Sequence, residues 1–337
     1  MSQELNILFS AKEIKRSAWD GLVVQSPVAS WFQTPEAYDF FDSLSFLEAF
    51  CVAVETKGVL KGVVVGFVQK DGGRIKQYFS RRAIVNGGPL LADDITEKEL
   101  TALLTATKDI LKRKAIFVET RNFSDYSRWR KVFEKCGFAY EPHYDIWVDT
   151  SSMDVVNEHL GKSRKRDIRV SLRDGASLVA HPTLEQVCAY YAILLDLYVT
   201  KVKTPLPPLE YFENLYEKPS SAFLLVEFDG KIVGGTVCVG LAGRTLYEMY
   251  ACGRDGVFKN IFPSELATFA GMQYAAENGY ACFDMMGAGK PDDGGYGVRD
   301  FKLKFGGSLK ELGRNRYVCN RLLFALGRLA VKIMKKS

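Results

Sequence analysis

Residues 50–69, FCVAVETKGVLKGVVVGFVQ, and residues 222–241, AFLLVEFDGKIVGGTVCVGL, repeat one pattern. In both stretches the sequence Val-Glu-x-x-Gly-x-x-x-Gly, at residues 54–62 and 226–234, joins two runs of apolar and β-branched residues. Two such runs separated by a glycine turn predict a β-hairpin. Because the pattern recurs after roughly 170 residues, it indicates a duplicated domain and not a short-repeat solenoid.

The residues after each hairpin follow one order in both halves: an extended stretch, a helix, a short apolar strand and an amphipathic segment that ends in glycine. These elements are expected at residues 75–80, 98–114, 115–120 and 129–138, and again at 245–251, 264–280, 281–286 and 301–307. Ser264, which follows Pro263, is expected to cap the second long helix. This order predicts an α/β (α+β) mixed sheet with covering helices in each half.

The region between the halves is expected to hold a strand, a helix and a basic helix that ends at Asp174 and Gly175. Residues 182–217 are expected to be helical on both sides of residues 204–208, whose prolines break a helix. We therefore expect an N-terminal domain at residues 1–155, a C-terminal domain at 156–315 and a basic amphipathic helix at 316–337.

The composition, 47% hydrophobic and 25% charged, is ordinary for a soluble globular protein. No stretch reaches the roughly 20 apolar residues that cross a bilayer, and the N-terminus lacks the apolar core of a secretory signal. The seven cysteines show no metal-binding spacing and fit a reducing compartment, and the three histidines are too far apart for a zinc site. These features predict a cytoplasmic protein without a metal ion or a tightly bound cofactor.

The net charge of +5 is mild, but its distribution is uneven, because residues 162–169, KSRKRDIR, form a basic cluster and residues 316–337 are also basic. In the C-terminal helix the basic residues fall on one face: Arg321, Arg328, Lys332 and Lys335. The opposite face is apolar: Leu322, Leu326, Leu329, Ala330 and Ile333. This pattern suits peripheral contact with an anionic membrane at its inner face. The alternative is that the apolar face packs against the second domain.

Several segments carry a family resemblance. Residues 129–138, WRKVFEKCGF, resemble the end of the GNAT acetyltransferase fold, and residues 30–36, SWFQTPE, resemble the opening of FemAB-like transferases. The second half adds, in order, the basic helix at 162–178, Tyr250-x-x-x-Arg254, Pro263-x-x-Leu266, Phe283-Asp284-x-x-Gly287 and Phe301-Lys302-x-Lys304-Phe305-Gly306-Gly307. This set is similar to the FemAB, or methicillin-resistance-factor, family of peptidoglycan bridge aminoacyltransferases, over about residues 20–315.

The resemblance implies two tandem GNAT-like (acyl-CoA N-acyltransferase-like) domains that form one site. Members of that family transfer amino acids from aminoacyl-tRNA onto the peptide of a peptidoglycan precursor, whereas related GNAT proteins use an acyl-CoA donor. The GNAT pyrophosphate-binding pattern, Arg/Gln-x-x-Gly-x-Gly/Ala, is not matched by residues 253–256 or 86–89, which occupy the corresponding regions. That departure weakens the case for coenzyme A, and both donors stay open.

Lys302 and Asp284 are the catalytic candidates in the second domain. Acyl transfer to an amine needs an acceptor for a proton and a group that stabilises an oxyanion. Asp284 ends an apolar strand, where α/β sites tend to form, and Lys302 follows the last strand. If residues 301–305 are extended, Lys302 and Lys304 share one face. The competing interpretations are a turn-capping aspartate and a solvated lysine on a short helix.

The substrate-binding candidates are Tyr250, Arg254, Lys304, Gly287, Gly289 and Tyr296. Tyr250 and Arg254 follow a strand in the equivalent of the GNAT donor region, where arginine suits a phosphate or carboxylate. The loop at 287–297 is rich in glycine, which lets a backbone approach a ligand closely. A surface ion pair for Arg254 and a merely mobile loop are the alternatives.

Together these observations predict an acyl- or aminoacyltransferase that acts on an amine of a peptidoglycan or polysaccharide precursor. Its donor is aminoacyl-tRNA or acyl-CoA. One alternative is an acyl-CoA-dependent N-acetyltransferase for an amino sugar or a small amine. Another is a GNAT-like protein that binds without catalysis, because duplicated domains need not both keep their chemistry.

Overall fold

The computed structural model describes residues 5–69, 80–294 and 297–334, with side chains as far as Arg328. The strands are β1 (Leu5–Leu8), β2 (Leu47–Thr56), β3 (Val59–Gln69), β4 (Arg82–Gly87), β5 (Leu90–Leu91), β6 (Phe117–Asn122), β7 (Ala139–Glu141), β8 (Tyr144–Asp149), β9 (Ser177–Val179), β10 (Ser221–Phe228), β11 (Lys231–Gly240), β12 (Thr245–Gly253), β13 (Cys282–Asp284), β14 (Ser308–Glu311) and β15 (Arg314–Val318).

The helices are α1 (Arg16–Gln25), α2 (Pro35–Asp42), α3 (Glu97–Leu111), α4 (Arg130–Lys135), α5 (Met153–His159), α6 (Lys162–Arg173), α7 (Leu184–Leu197), α8 (Leu209–Tyr216), α9 (Pro263–Glu277), α10 (Gly297–Leu303) and α11 (Arg321–Met334). The extended stretch expected at 75–80 lies, apart from Ser80, outside the described residues. Within the described residues, no helix has the length and apolarity that crossing a membrane requires.

The chain forms two compact units, one made of Met1–Pro142 with Leu312–Ser337 and the other of His143–Glu311. This division differs from the expected boundaries after residues 155 and 315. The reason lies in strand pairing. Strand β8 pairs with β13 and β14 of the second unit, and β15 pairs with β6 and β7 of the first.

The first unit is a mixed sheet in the order β1-β2-β3-β4-β6-β15-β7, with β5 beside β3. Only β4 and β6 run parallel; the other ladders are antiparallel. Helix α3 connects this parallel pair and begins at a capping box between Thr96 and Glu99. Its buried leucines, Leu100, Leu103, Leu104 and Leu111, join the apolar core of the sheet.

The second unit repeats this arrangement as β9-β10-β11-β12-β13-β8-β14, with β12 and β13 as its parallel pair. Helix α9 connects them and packs on the sheet through residues such as Leu266 and Met272. The helix begins at Pro263, and Ser264 is not its cap: the Ser264 hydroxyl instead donates to Asp255. The same strand order in both units agrees with the duplication that the repeated hairpin predicts.

The extended form considered for residues 301–305 is wrong. Lys302 lies in helix α10, and the chain turns at Gly306 with φ +86° before β14. Lys302 lies near the end of this helix and is partly buried, whereas Lys304 follows the helix and is exposed.

In the C-terminal helix α11, Leu322 and Leu326 are 71% and 49% exposed. Phe324 packs on Phe117.

Candidate active site

Asp284 is the last residue of β13 and is fully buried. Its Oδ2 accepts a hydrogen bond from Trp147 Nε1 at 3.0 Å, and its Oδ1 accepts one from the backbone N–H of Met286 at 2.7 Å. Burial and then the neighbouring Asp145 carboxylate raise the pKa of Asp284 well above its usual value. The two hydrogen bonds and the positive charge of Lys302 oppose that rise. Asp284 is therefore a carboxyl group that keeps its proton to a higher pH than an ordinary aspartate does.

Lys302 points its ammonium group at the backbone that follows Asp284. Nζ donates to the carbonyl oxygens of Met285, Met286 and Gly287, the last two at 3.2 and 3.1 Å. An ammonium group has three N–H donors, so all of them are engaged by this segment. Burial lowers the pKa of Lys302, whereas nearby carboxylates raise it. Lys302 thus fixes the turn after β13 and places a positive charge beside Asp284.

Glu248 brings a third carboxyl group to the same region from β12. It is buried, and burial raises its pKa, while the Lys302 charge and the hydroxyls of Thr268 and Thr236 lower it. The ladder between β11 and β12 shifts register here: Val237 pairs with Tyr250, but Cys238 pairs with Glu248. Such bulges re-aim side chains and are common beside active sites. The bulge sets Glu248 opposite Cys238, where its carboxyl group and Lys302 are near enough to shift each other's pKa.

Asp145, Glu248, Asp284 and Lys302 form what we call the acid–lysine cluster. Three acidic side chains share one ammonium group in a buried setting, and burial raises the pKa of both Glu248 and Asp284. Perturbed groups of this kind concentrate at functional sites, because they accept or donate protons near neutral pH. Asp284 and Lys302 were predicted from the sequence as site residues, whereas Asp145 and Glu248 were not. The available signal for both was an acidic residue within a largely apolar strand.

The loop after β13 carries Gly287 and Gly289. Gly289 has φ +81°, and its carbonyl accepts from the backbone N–H of Tyr144 at 2.8 Å. Arg299 donates to the carbonyls of Ala288, at 2.7 Å, and of Lys290. The first part of this loop is therefore held by hydrogen bonds. Tyr296 lies outside the described residues.

Tyr250 is connected to the cluster through Thr236. The Thr236 hydroxyl lies 3.4 Å from Glu248 Oε1 and 3.2 Å from the Tyr250 carbonyl oxygen. The Tyr250 ring contacts three other rings, those of Tyr198, Tyr211 and Phe212. Tyr198 begins a turn of π-helix at Tyr198–Val202, a feature often found at functional sites. Tyr250 thus joins an aromatic surface to the acid–lysine cluster.

Arg254 and Lys304 are both exposed. Arg254 follows β12 and forms no ion pair within the described part of the chain, so the surface ion pair considered for it is not present there. Lys304 takes part through its backbone, since its carbonyl accepts from the N–H of Gly161 at 3.0 Å. Neither side chain contributes to the acid–lysine cluster.

The N-terminus of α9 is occupied by carboxyl groups. Asp255 accepts from the backbone N–H of Ser264 at 3.0 Å as well as from its hydroxyl, and Glu265 lies in the first turn. Helix N-termini bind phosphate through these same free N–H groups. In the first unit, Thr96 and Glu99 cap α3 in a similar way. At each helix start a side chain of the protein therefore competes with a pyrophosphate for the backbone N–H groups.

Comparisons with known proteins agree with this fold. The FemAB family model matches residues 229–332, a segment that contains three members of the acid–lysine cluster. Among curated protein sequences, none matches this chain. The crystal structure of FemX matches with a TM-score of 0.73 at 16% identity, covering 95% of this chain and 99% of that chain.

Two further solved structures share the architecture. A tandem GNAT protein from the clavulanic acid biosynthesis pathway, solved without AcCoA, matches with a TM-score of 0.58 at 12% identity, over 94% of this chain and 99% of that one. L-PGS from Bacillus licheniformis gives 0.52 at 15% identity, over 80% and 86%. The chain is thus a tandem GNAT-like protein with a FemAB segment, which confirms the resemblance and the fold class predicted from the sequence.

Proposed function

We propose that this chain is an aminoacyltransferase of the FemAB type, which moves an amino acid from aminoacyl-tRNA to an amine of a cell-envelope precursor. The observation that carries the proposal is the acid–lysine cluster, because it lies in the unit that contains most of the FemAB match. Its buried carboxyl groups and the ammonium group supply the proton acceptor and the positive charge that acyl transfer needs.

In this proposal the acceptor nitrogen attacks the carbonyl carbon of the aminoacyl ester. A C–N bond forms and a tetrahedral oxyanion develops, and the C–O bond to the tRNA then breaks. One proton passes from the nitrogen to Asp284 and from there to the leaving hydroxyl. As a carboxylate, Asp284 keeps acceptor capacity beyond its bonds to Trp147 and Met286.

Lys302 acts in this step through its charge and its hold on the backbone. Its three N–H donors are engaged by carbonyls, so its positive charge, and not a new hydrogen bond, stabilises the oxyanion. The aromatic surface at Tyr250 and the exposed Arg254 are the parts that we assign to substrate binding. Gly287 and Gly289 present backbone beside the reacting groups.

The N-terminal ends of helices α3 and α9 favour aminoacyl-tRNA over coenzyme A as the donor. A coenzyme A donor needs a pyrophosphate site, and at the starts of α3 and α9 a side chain, Thr96 and Asp255 respectively, already accepts from one of the first backbone N–H groups. An aminoacyl ester places no pyrophosphate beside the reacting carbon. The alternative, an acyl-CoA-dependent N-acetyltransferase, keeps the same fold and cluster but needs a phosphate site elsewhere.

Thermal protection separates the two donors. We expect a charged-tRNA analogue, with an amide in place of the labile ester, to raise the unfolding temperature. A ligand whose concentration is 100 times its Kd adds about 2.7 kcal/mol to the free energy of unfolding. Coenzyme A is expected to leave the temperature unchanged. Protection by coenzyme A alone would reject the proposed donor and favour the N-acetyltransferase, and protection by neither would favour a non-catalytic protein.

A further inference from the structure

Helix α6 (Lys162–Arg173) presents cations along a single face. The exposed basic residues recur at helical spacing: Lys162, Lys165, Arg166, Arg169 and Arg173. Steps of three and four residues bring side chains above one another, so these five make a continuous row that we call the α6 stripe. The helix contains one acidic residue, Asp167, and that residue is buried on the opposite face.

Much of the charge on the α6 stripe is not neutralised. Arg166 bonds to Asp167 at 2.8 Å, and Arg173 bonds to Asp174 at 2.7 Å. Lys162, Lys165 and Arg169 form no ion pair with any described residue. Like charges three or four residues apart destabilise a helix, so this row is a cost to the fold itself. A polyanion bound along the stripe would reverse the sign of that interaction.

The other face of α6 packs against the interior of the second unit. Ile168 belongs to the apolar core of the second unit, and the buried Arg164 bonds to Glu265 at 2.6 Å. A helix that lies in a membrane surface inserts a broad apolar face, whereas Leu172, 42% exposed, is the single large apolar side chain exposed on α6. Its exposed side therefore fits a partner that is recognised by phosphate charge alone.

The dimensions and the neighbouring surface fit RNA. The 12 residues of α6 span about 18 Å, and a duplex strand carries one phosphate per roughly 3.4 Å of axis. A cavity of about 280 Å³ opens beside Lys165 and Arg169, and its walls include Leu160 and Phe269. Apolar and aromatic surfaces next to cations hold unstacked bases in single-stranded RNA.

We propose that the α6 stripe and its cavity form a docking surface for the tRNA body of the donor. The proposal rests on the proposed function, because it names the part of the protein that holds the donor away from the reacting ester. The five cations contact phosphates, and the cavity receives a base.

Fluorescence anisotropy with uncharged tRNA tests the surface without any turnover. The triple variant Lys162→Gln, Lys165→Gln, Arg169→Gln removes the three cations that lack ion pairs. The matched control, Lys98→Gln, Arg113→Gln, Lys131→Gln, removes two lysines and an arginine of the first unit that are exposed and form no ion pair with any described residue. We expect the stripe variant to bind tRNA at least about tenfold more weakly. The slope of log K against log salt concentration should also become shallower by roughly 2 to 3, as for three lost phosphate contacts. The control is expected to keep wild-type affinity and slope.

A stripe-conserving variant, Lys162→Arg, Lys165→Arg, Arg169→Lys, is expected to bind like the wild type. Equal loss in the stripe and control variants overturns the proposal, because it shows only a general charge effect. So does unchanged tRNA binding together with weaker binding to phosphatidylglycerol vesicles, which would identify a lipid surface. Loss of tRNA binding in the stripe variant supports the docking surface, even if assays find no aminoacyl transfer and the proposed function fails.

Discussion

Each unit buries a carboxylate at the third residue of its parallel-paired inner strand, Glu119 in β6 and Asp284 in β13. The surroundings differ. Burial raises the pKa of both, but around Glu119 the guanidinium groups of Arg121, Arg314 and Arg316 outweigh it and lower its pKa to about 2. Asp284 instead faces another acid. The first unit has thus made this position a fixed ionic contact, whereas the second keeps a group that can exchange a proton.

Glu119→Gln should therefore destabilise the protein at neutral pH. A lowered pKa adds stability that is present above the normal value near 4.5 and is lost as the pH falls towards 2. A shift from 4.5 to about 2 corresponds to on the order of 3 kcal/mol. Urea unfolding of the wild type and the variant at pH 7 and at pH 3 measures the loss in free energy of unfolding. We expect that loss to be smaller at pH 3.

Glu141→Gln is the matched control, because Glu141 also bonds to Arg316 but is 30% exposed. Partly exposed ion pairs contribute about 1 kcal/mol or less. Equal losses in the two variants would contradict the role given to the Glu119 cluster.

At the scale of elements, the periodic segments could be predicted from the sequence. Both hairpins, the long helices α3 and α9 and the proline break between α7 and α8 follow from local patterns. The secondary structure of residues 301–305 was ambiguous, because FKLKF alternates as a strand does. In the structure, helix α10 includes Phe301, Lys302 and Leu303. The bulge beside Glu248 could not be predicted, since it depends on a partner strand and reverses which side chains face inward. For that reason Glu248 was not among the predicted site residues.

Helix α11 is the element for which we propose membrane contact. Leu322 and Leu326 are exposed, and Arg321 and Arg328 are exposed beside them. We expect the full chain to float with phosphatidylglycerol vesicles at low salt and to stay in solution with neutral vesicles. Truncation must leave β15 intact, so the test variant ends after Asn320.

The matched substitution for that test is Leu322→Gln with Leu326→Gln, which keeps the helix and its charge. Both the truncation and the double variant should lose flotation. If the double variant floats like the full chain, apolar insertion is wrong and only charge attracts the vesicle.

At the scale of the whole molecule, the chain exchanges one strand between its repeats. The second sheet receives β8 immediately after the first repeat, and the first receives β15 after the second repeat. Residues 143–311 therefore hold every strand of their sheet in one continuous piece. Residues 1–142 lack β15, which leaves β6 and β7 without the strand that joins them.

We accordingly expect a fragment of residues 143–311 to unfold cooperatively on its own, while residues 1–142 fail to fold because of the open edges of β6 and β7. Joining residues 312–337 to residue 142 through a glycine–serine linker should restore the first unit. Circular dichroism melts report both results. A stable, cooperative fragment of residues 1–142 alone would refute the exchange as a requirement for folding.

A label-transfer assay tests whether the acid–lysine cluster carries out aminoacyl transfer. The purified chain is mixed with tRNA charged with radiolabelled amino acids and a peptidoglycan precursor that carries a free amine. We predict labelled precursor, a fall of roughly 10²–10³-fold in rate for Lys302→Ala, and wild-type rates for the exposed Lys231→Ala. Transfer from acetyl-CoA but not from charged tRNA would reject the aminoacyl-tRNA donor, and full activity in a folded Lys302→Ala variant would reject the catalytic role of Lys302.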